Sequence, residues 1–222
     1  MRGRFITFEG GEGSGKSTQA ESLAQHLRSL AINVVLTREP GGSPGAEAIR
    51  HVLLSGAAKP LGAEAEAILF AAARDDHVRN TIRPALDRGS WVVCDRFIDS
   101  TRVYQGALGN VDRRLLRGLE RITIGDLKPD LTLILDVPHE AGLARAAKRR
   151  GKRKADRFEL EEADFHRKLR EAYREIAADD PKRCVLIDAQ QPPDKVAERI
   201  WTVVNERLDP TMAPIAVEDA AV

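Results

Sequence analysis

Residues 10–17 read Gly10-Gly11-Glu12-Gly13-Ser14-Gly15-Lys16-Ser17 and match the pattern G-x-x-x-x-G-K-S/T without a gap. The apolar run Phe5–Glu9 precedes them and predicts a strand, while Leu23 and Leu27 begin a helical pattern after them. A glycine-rich turn in this setting points its backbone N–H groups at a phosphate, and the following helix adds the positive end of its dipole. We therefore expect a phosphate-binding loop between the first strand and the first helix. The alternative is a flexible turn that matches by chance, and the flanking strand and helix argue against it.

The residue types in this loop suit a nucleoside triphosphate with its metal. Lys16 would reach the β- and γ-phosphates, and the Ser17 hydroxyl would bind Mg²⁺. A dinucleotide-binding loop is excluded because G-x-G-x-x-G is absent. The expected ATP-binding residues are Gly10, Gly11, Glu12, Gly13, Ser14, Gly15, Lys16, Ser17 and Thr18.

Strand-like runs alternate with helical patterns along the whole chain. The predicted strands are Phe5–Glu9, Asn33–Thr37, Trp91–Cys94, Leu131–Asp136 and Arg183–Asp188. This alternation predicts an α/β domain with a five-stranded parallel sheet and helices on both faces. We expect the domain to span residues 1–208. Residues 209–222 contain two prolines and many small residues, which predicts a weakly ordered tail.

The composition limits the classes of partner. Thirty-five basic and 34 acidic residues give a net charge of +1, so we expect neither nucleic acid nor a membrane to be a partner. No apolar run approaches the length of a membrane span, and no signal-peptide pattern precedes the first strand. Cys94 and Cys184 each lie in an apolar run, which predicts buried thiols rather than a disulfide or a metal site. These features indicate a cytoplasmic protein.

Two arginines follow predicted strands at the edge of the sheet where the phosphate loop lies. Arg38 and Arg96 come directly after the second and third strands. The planar guanidinium group donates two parallel hydrogen bonds, which suits a phosphate. A surface salt bridge is the alternative for either arginine alone, but two in matching positions favour a second phosphate site. A phosphate loop alone fits kinases, GTPases and motor ATPases; the GTPase patterns D-x-x-G and N-K-x-D are absent, which leaves kinases and motor ATPases.

Together with further stretches, these motifs resemble the thymidylate kinase family over roughly residues 4–208. The matching stretches run in family order: Phe8-Glu9-Gly10 with the phosphate loop, Arg38-Glu39-Pro40-Gly41-Gly42, Leu69-Phe70-Ala71-Ala72-Ala73-Arg74, Asp95-Arg96-Phe97 with Ser100, Tyr104 and Gln105, Lys128-Pro129-Asp130-Leu131-Thr132-Leu133, Leu135-Asp136-Val137, and Asp156-Arg157-Phe158-Glu159. The resemblance implies a phosphate-loop nucleoside-monophosphate kinase fold, ATP with Mg²⁺ as donor, dTMP as acceptor and a homodimer. The alternatives are a kinase for dUMP or UMP, and a phosphate-loop binding protein without catalysis.

The resemblance also implies roles on the acceptor side. Phe70 would stack on thymine, and Arg74, one helical turn later, would hydrogen-bond the base; from spacing alone, Phe70 also fits the core. Arg38 and Arg96 would hold the acceptor phosphate, and Asp95 would support Mg²⁺ together with Ser17. The expected dTMP-binding residues are Glu12, Arg38, Phe70, Arg74, Arg96, Ser100, Thr101, Tyr104 and Gln105.

A basic segment at about residues 145–159 resembles the lid of these kinases. Taken alone, its charges also fit a solvated loop or a nucleic-acid patch. Some relatives carry a transition-state arginine in the phosphate loop, where this chain has Gly13. The resemblance therefore implies that the lid supplies this charge, and we expect Arg149 or Arg153 to do so. The expected catalytic residues are Lys16, Arg38, Arg96, Arg149 and Arg153.

Overall fold

A computed structural model describes residues 2–151, 158 and 161–210. Its strands form one sheet in the spatial order β2-β3-β1-β4-β5, and all four pairings are parallel. The strands are β1 (Phe5–Gly10), β2 (Val34–Arg38), β3 (Trp91–Asp95), β4 (Leu131–Asp136) and β5 (Cys184–Asp188). The predicted five-stranded parallel sheet is confirmed, and the predicted strand ends differ from the observed ones by at most one residue.

Helices connect the strands and lie on both faces of the sheet, as predicted. They are α1 (Lys16–Ser29), α2 (Pro44–Ser55), α3 (Ala63–His77), α4 (Arg83–Asp87), α5 (Ile98–Thr101), α6 (Arg113–Thr123), α7 (His139–Arg150), α8 (Ala163–Asp179) and α9 (Pro193–Leu208). Short π-helical segments continue α3 into α4 and extend α5, at Val78–Ile82 and Arg102–Leu108. Within the described part of the chain, no helix is both long enough and apolar enough to cross a membrane.

The two faces of β1 bury different kinds of side chain. Ile6 and Phe8 point to one face, where they join the apolar cluster that includes residues of α1 and α9. Phe5, Thr7 and Glu9 alternate with them and point to the opposite face. All five side chains are fully buried, so the second face carries two polar groups into the interior.

A buried ion pair fixes α5 beneath this second face. Asp99 in α5 accepts hydrogen bonds from Arg183 Nη1 at 2.6 Å and from Arg102 Nη1 at 3.1 Å. The same Arg183 nitrogen contacts Thr132 Oγ1 at 2.7 Å, and Thr132 in turn contacts Thr7. Polar contacts therefore join α5 to the β1 and β4 strands, just before the point where β1 enters the phosphate loop.

Truncation of Leu133 tests the core of the sheet. Leu133 in β4 is fully buried, and the change Leu133→Ala should lower the free energy of unfolding by about 2–5 kcal/mol. Leu30 is 45% exposed, so Leu30→Ala should cost less than about 1 kcal/mol. Urea denaturation of both variants measures the difference, and equal losses would contradict this assignment of the core.

Candidate active site

The phosphate loop forms the turn that the sequence predicts between β1 and α1. Gly10, Gly13 and Gly15 have φ angles of 133°, 67° and 95°, a region that strains residues with a side chain. Gly15 directly precedes α1, so the loop backbone leads into the helix N-terminus. The first N–H groups of α1 have no partner within the helix, and together with the helix dipole they provide an anion-binding end.

Lys16 lies buried within this turn. Its Nζ donates to the carbonyl oxygens of Gly11 at 2.7 Å and Gly10 at 3.0 Å. Burial, followed by the positive charge of Arg96, lowers the pKa of Lys16 to about 8, against the opposing effect of nearby carboxylates. A phosphate bound in the loop would favour the charged form of Lys16.

Ser17 and Asp95 form a pair of oxygen ligands beside the loop. Ser17 Oγ donates to Asp95 Oδ2 at 2.5 Å, and Asp95 Oδ1 is buried with no hydrogen-bond partner. A hydroxyl and a carboxylate suit Mg²⁺, which takes few ligands from the protein and several from water and phosphate. In the described residues, no group of three His, Cys, Asp or Glu side chains is arranged to hold a metal. The two residues predicted to bind the metal, Ser17 and Asp95, are thus in contact with each other. With only two protein ligands, they fit a Mg²⁺ ion that a nucleotide would also coordinate.

A cleft of about 220 Å³ opens beside the phosphate loop. It brings together every residue predicted for the acceptor nucleotide, although these come from four separate segments of sequence. The predicted residues that line it are Glu12, Arg38, Phe70, Arg74, Arg96, Ser100, Thr101, Tyr104 and Gln105. Lys16, Ser17 and Asp95 line the same cleft, so the phosphate loop and the acceptor residues share one site.

Arg96 is held in place at the centre of this cleft. It has a φ of 72°, in the left-handed region that non-glycine residues rarely adopt. Its Nη2 donates to Glu12 Oε1 at 2.5 Å, and its guanidinium carbon lies 5.2 Å from the centre of the Tyr104 ring. Arg38 lies on the rim instead, where it is mostly exposed and pairs with Glu47 at 2.9 Å. The two predicted phosphate-binding arginines therefore differ: Arg96 is mostly buried and held by several contacts, whereas the Arg38 side chain is exposed and, among the described residues, pairs only with Glu47.

Glu12 lies between the loop and the acceptor side of the cleft. Burial alone would raise the pKa of Glu12, but the positive charges of Arg96, Lys16 and Arg149 hold it below its ordinary value. Glu12 Oε1 also accepts a hydrogen bond from the Tyr104 hydroxyl at 3.3 Å. This carboxylate is consequently ionised and oriented by three cations and a phenol.

A buried ion pair orders the part of the cleft that Arg74 lines. Arg74 Nε donates to Glu39 Oε2 at 2.7 Å, and Arg74 Nη2 donates to Thr101 Oγ1 at 3.0 Å. His77 contacts the other Glu39 oxygen at 3.1 Å and Thr37 Oγ1 at 2.7 Å. Arg74 is thus buried and fixed within the cleft.

Aromatic rings line the outer part of the cleft. Phe70 is only partly buried and lies outside the buried apolar clusters, so the alternative that it is a core residue is wrong. The ring centre of Phe158 lies 6.4 Å from that of Phe70 and 5.2 Å from that of Tyr104. These rings provide apolar surface on which a flat base can stack.

Glu9 and Tyr173 are part of the site but were not predicted to be. Glu9 is fully buried and accepts hydrogen bonds from Phe97 N at 2.8 Å, Ser100 Oγ at 2.6 Å and Tyr173 OH at 3.0 Å. Ser100 Oγ and the Tyr173 hydroxyl also contact Arg96 Nη1, at 3.3 and 3.4 Å. Glu9 therefore supports the turn and the hydroxyl groups that hold Arg96. The available signal was a single carboxylate in a mostly apolar strand.

A second cavity, of about 460 Å³, lies on the other side of the phosphate loop. It is bounded by Gly13, Thr18, Gln19 and the segment 189–193 that follows β5. Arg145 in α7 donates to the carbonyl oxygens of Ala189 at 2.8 Å and Gln190 at 3.3 Å. The basic helix α7 is thereby attached to this cavity.

Arg149 lines both the acceptor cleft and the second cavity. The predicted lid, residues 145–159, begins in α7, but 152–157 and 159 lie outside the described residues. The prediction for Arg153 falls there, as does most of the predicted tail. Of the two arginines predicted to act from the lid, the structure describes Arg149, and it lies between the two cavities.

The phosphate loop lies between two cavities, and one of them is lined by arginines, a carboxylate and aromatic rings. This arrangement defines a phosphate-loop nucleotide kinase. Comparison with known proteins gives the family: the family model described as "Thymidylate kinase" matches residues 8–200. A "Thymidylate kinase" of Bradyrhizobium sp. (strain BTAi1) is 67% identical over 93% of this chain and 92% of its own length. A second, from Nitrobacter winogradskyi, is 66% identical over 93% of this chain and 90% of its own length.

A solved structure agrees with the sequence comparison. The crystal structure of thymidylate kinase from Ehrlichia chaffeensis superposes with a TM-score of 0.73 at 34% identity, and covers 92% of this chain and 99% of that one. The chain belongs to the thymidylate kinase family. The fold and the activity class expected from the sequence, a phosphotransferase, are confirmed.

Replacement of Glu9 by glutamine tests the buried carboxylate through pH. Burial and the negative charge of Asp99 raise the pKa of Glu9 from 4.5 to about 7. Between these values the folded state binds more protons than the unfolded state, so this carboxylate lowers stability as pH rises. Wild type should therefore lose up to about 3 kcal/mol relative to Glu9→Gln between pH 5 and pH 8. Denaturant titrations across this range measure the difference, and a constant difference would contradict the raised pKa.

Proposed function

We propose that the described cleft transfers the γ-phosphoryl group of ATP to dTMP and forms dTDP and ADP, a step in dTTP synthesis. The observation that carries this is the junction of the phosphate loop with the acceptor cleft, where Lys16 lies beside Arg96 and Phe70 and Arg74 line the far end. Family membership over nearly the whole chain supports the same reaction.

The acceptor cleft fits a pyrimidine nucleotide in one orientation. Phe70 provides a stacking face, and Arg74, which Glu39 holds in the same cleft, would hydrogen-bond the edge of the base. The phosphate of the acceptor would then reach Arg96 and the exposed Arg38, near Lys16. Tyr104, with its ring under the Arg96 guanidinium, would lie beside the sugar.

The transferred group would lie between fixed cations. Phosphoryl transfer places negative charge on the equatorial oxygens, and prearranged positive groups stabilise that charge. Lys16 and Arg96 supply two such groups from the loop and the acceptor side. Arg149 supplies a third, because it lines both cavities.

Mg²⁺ is the cofactor that the site fits, held by Ser17 and Asp95. When bound there with ATP, the ion would neutralise phosphate charge and orient the donor. The second cavity would hold the nucleoside of ATP, near the segment 189–193. Asp95 Oδ1, buried and without a partner, is the oxygen that remains for the ion or its water.

The assembly and setting are further parts of the proposal. Val52, Ile68 and Ile122 are 42%, 49% and 72% exposed and lie on helices α2, α3 and α6, respectively. Helix α3 packs against both α2 and α6. An apolar face of this kind suits a homodimer. We place the kinase domain at residues 1–208, with a lid at about 145–159. Buried free thiols at Cys94 and Cys184 suit the cytoplasm.

A panel of nucleoside monophosphates with ATP and Mg²⁺ tests the reaction. We expect dTMP to be the preferred acceptor over dUMP and UMP, and Lys16→Ala to lower kcat by about 100- to 1,000-fold in a folded protein. Lys195→Ala, an exposed lysine of α9 paired with Glu198, is the matched control and should retain full turnover. Preference for UMP, or full kcat in Lys16→Ala, would refute the proposal.

Removal of the Phe70 ring separates base stacking from core packing. Phe70→Ala should raise KM for dTMP by the equivalent of about 1–3 kcal/mol and leave KM for ATP nearly unchanged. Phe5→Leu, in the core, should instead lower the melting temperature with little effect on either KM. Equal losses for dTMP and ATP in Phe70→Ala would count against a stacking role.

A further inference from the structure

The backbone of α7 lies directly against the phosphate loop, with no side chain between them. A Cβ atom added to Gly142 would lie 2.5 Å from the carbonyl oxygen of Glu12. A Cβ atom added to Gly13 would lie 1.9 Å from the carbonyl oxygen of Gly142. Real Cβ atoms essentially never approach another atom within 3.0 Å, so both positions exclude any side chain while α7 stays where it is.

The glycine at position 142 is explained by space alone. Gly142 has no positive φ and donates its N–H to Pro138 at 3.0 Å within the first turns of α7. Glycine is among the weakest helix formers, so neither backbone conformation nor helix propensity favours it there. What it permits is the close approach of α7 to the loop.

The same helix carries Arg149, which lines both cavities, and Arg145, which lines the second. Arg149 follows Gly142 by seven residues, which puts it on the same face of the helix about 10 Å further along. Arg145, between them, holds the segment after β5 by its carbonyl oxygens. The distance between α7 and the phosphate loop therefore sets how far Arg149 reaches over the loop.

We propose that Gly142 is a positioning residue for phosphoryl transfer: by lacking a side chain, it seats α7 on the phosphate loop and so places Arg149 between donor and acceptor. This inference rests on the proposed role of Arg149 in the reaction. Gly142 itself lines neither of the two cavities. The contact also gives position 13 a reason to lack a side chain, because Gly13 lies against the carbonyl oxygen of Gly142.

Gly142→Ala is the direct test, because it adds one carbon atom at the contact. The Cβ–O distance would have to grow from 2.5 Å to at least 3.0 Å, which moves α7 away from the loop. A displacement approaching 1 Å can cost about 100-fold in rate, so we expect kcat to fall by about 10- to 100-fold. KM for dTMP should stay within about twofold, since α7 contributes only Arg149 to the acceptor cleft. Ala144→Ser, which adds one atom to the exposed side of the same helix, is the control and should keep full kcat.

A double-mutant cycle with Arg149→Ala separates positioning from a general structural effect. If Gly142 acts through Arg149, the double variant Gly142→Ala/Arg149→Ala should be no slower than Arg149→Ala alone. Multiplied losses of kcat, or full kcat in Gly142→Ala, would overturn the inference. A Gly142→Ala chain that does not fold would make the contact a requirement of the fold and would also overturn it.

The outcomes distinguish this inference from the proposed function. A wild-type protein that does not phosphorylate dTMP would refute the function itself. If wild type is active and Arg149→Ala keeps full kcat, the reaction stands and the positioning role of Gly142 fails. If Arg149→Ala is slow and Gly142→Ala is not, the role of Arg149 stands and the role of Gly142 alone is refuted.

Discussion

The parallel pairing of β1 with β3 is the constraint on which the site depends. Its register places Phe8 opposite Asp95, so β3 ends two residues before β1 does, and both strands end at the same edge of the sheet. The chain that leaves β1 becomes the phosphate loop, and the chain that leaves β3 carries Arg96. Because both turns leave the same edge, the Ser17–Asp95 and Glu12–Arg96 contacts form between residues more than 75 positions apart in sequence. A change of register by one residue would separate both pairs.

Beneath this edge, the buried Glu9 carboxylate supports the turn after β3. It accepts hydrogen bonds from the backbone N–H groups of Phe97 and Ser100, at the start of the short helix α5. That helix has too few residues to be stable alone, so contacts from β1 hold it in place. The unusual φ of Arg96 is tolerated because the turn is fixed on both sides. Arg96, one of four non-glycine residues with a positive φ in the described part of the chain, thus lies where the acceptor phosphate is expected.

Much of this arrangement could be predicted from the sequence, and the reasons are local. The strands are apolar runs of the length typical of buried strands. The phosphate loop is a contiguous pattern in which glycine, lysine and serine each have a distinct structural or chemical role. The gathering of Phe70, Arg74 and Tyr104 into one cleft followed from resemblance, since nothing in their spacing brings α3 to the segment after β3. Glu9, Tyr173 and the Gly13–Gly142 approach could not be found this way. Each depends on a contact between segments that are distant in sequence. A single carboxylate, tyrosine or glycine forms no sequence pattern from which its contact partner can be predicted.

Glu12 belongs to the phosphate loop by sequence and to the acceptor cleft by its contact with Arg96. An acceptor phosphate that draws Arg96 toward itself must weaken this ion pair, and the charge left on Glu12 then acts on Lys16 in the loop. The two nucleotides would therefore communicate without any movement of the sheet, through one shared carboxylate. Thermodynamic linkage makes such communication reciprocal: the factor by which one nucleotide alters the affinity of the other is the same in both directions.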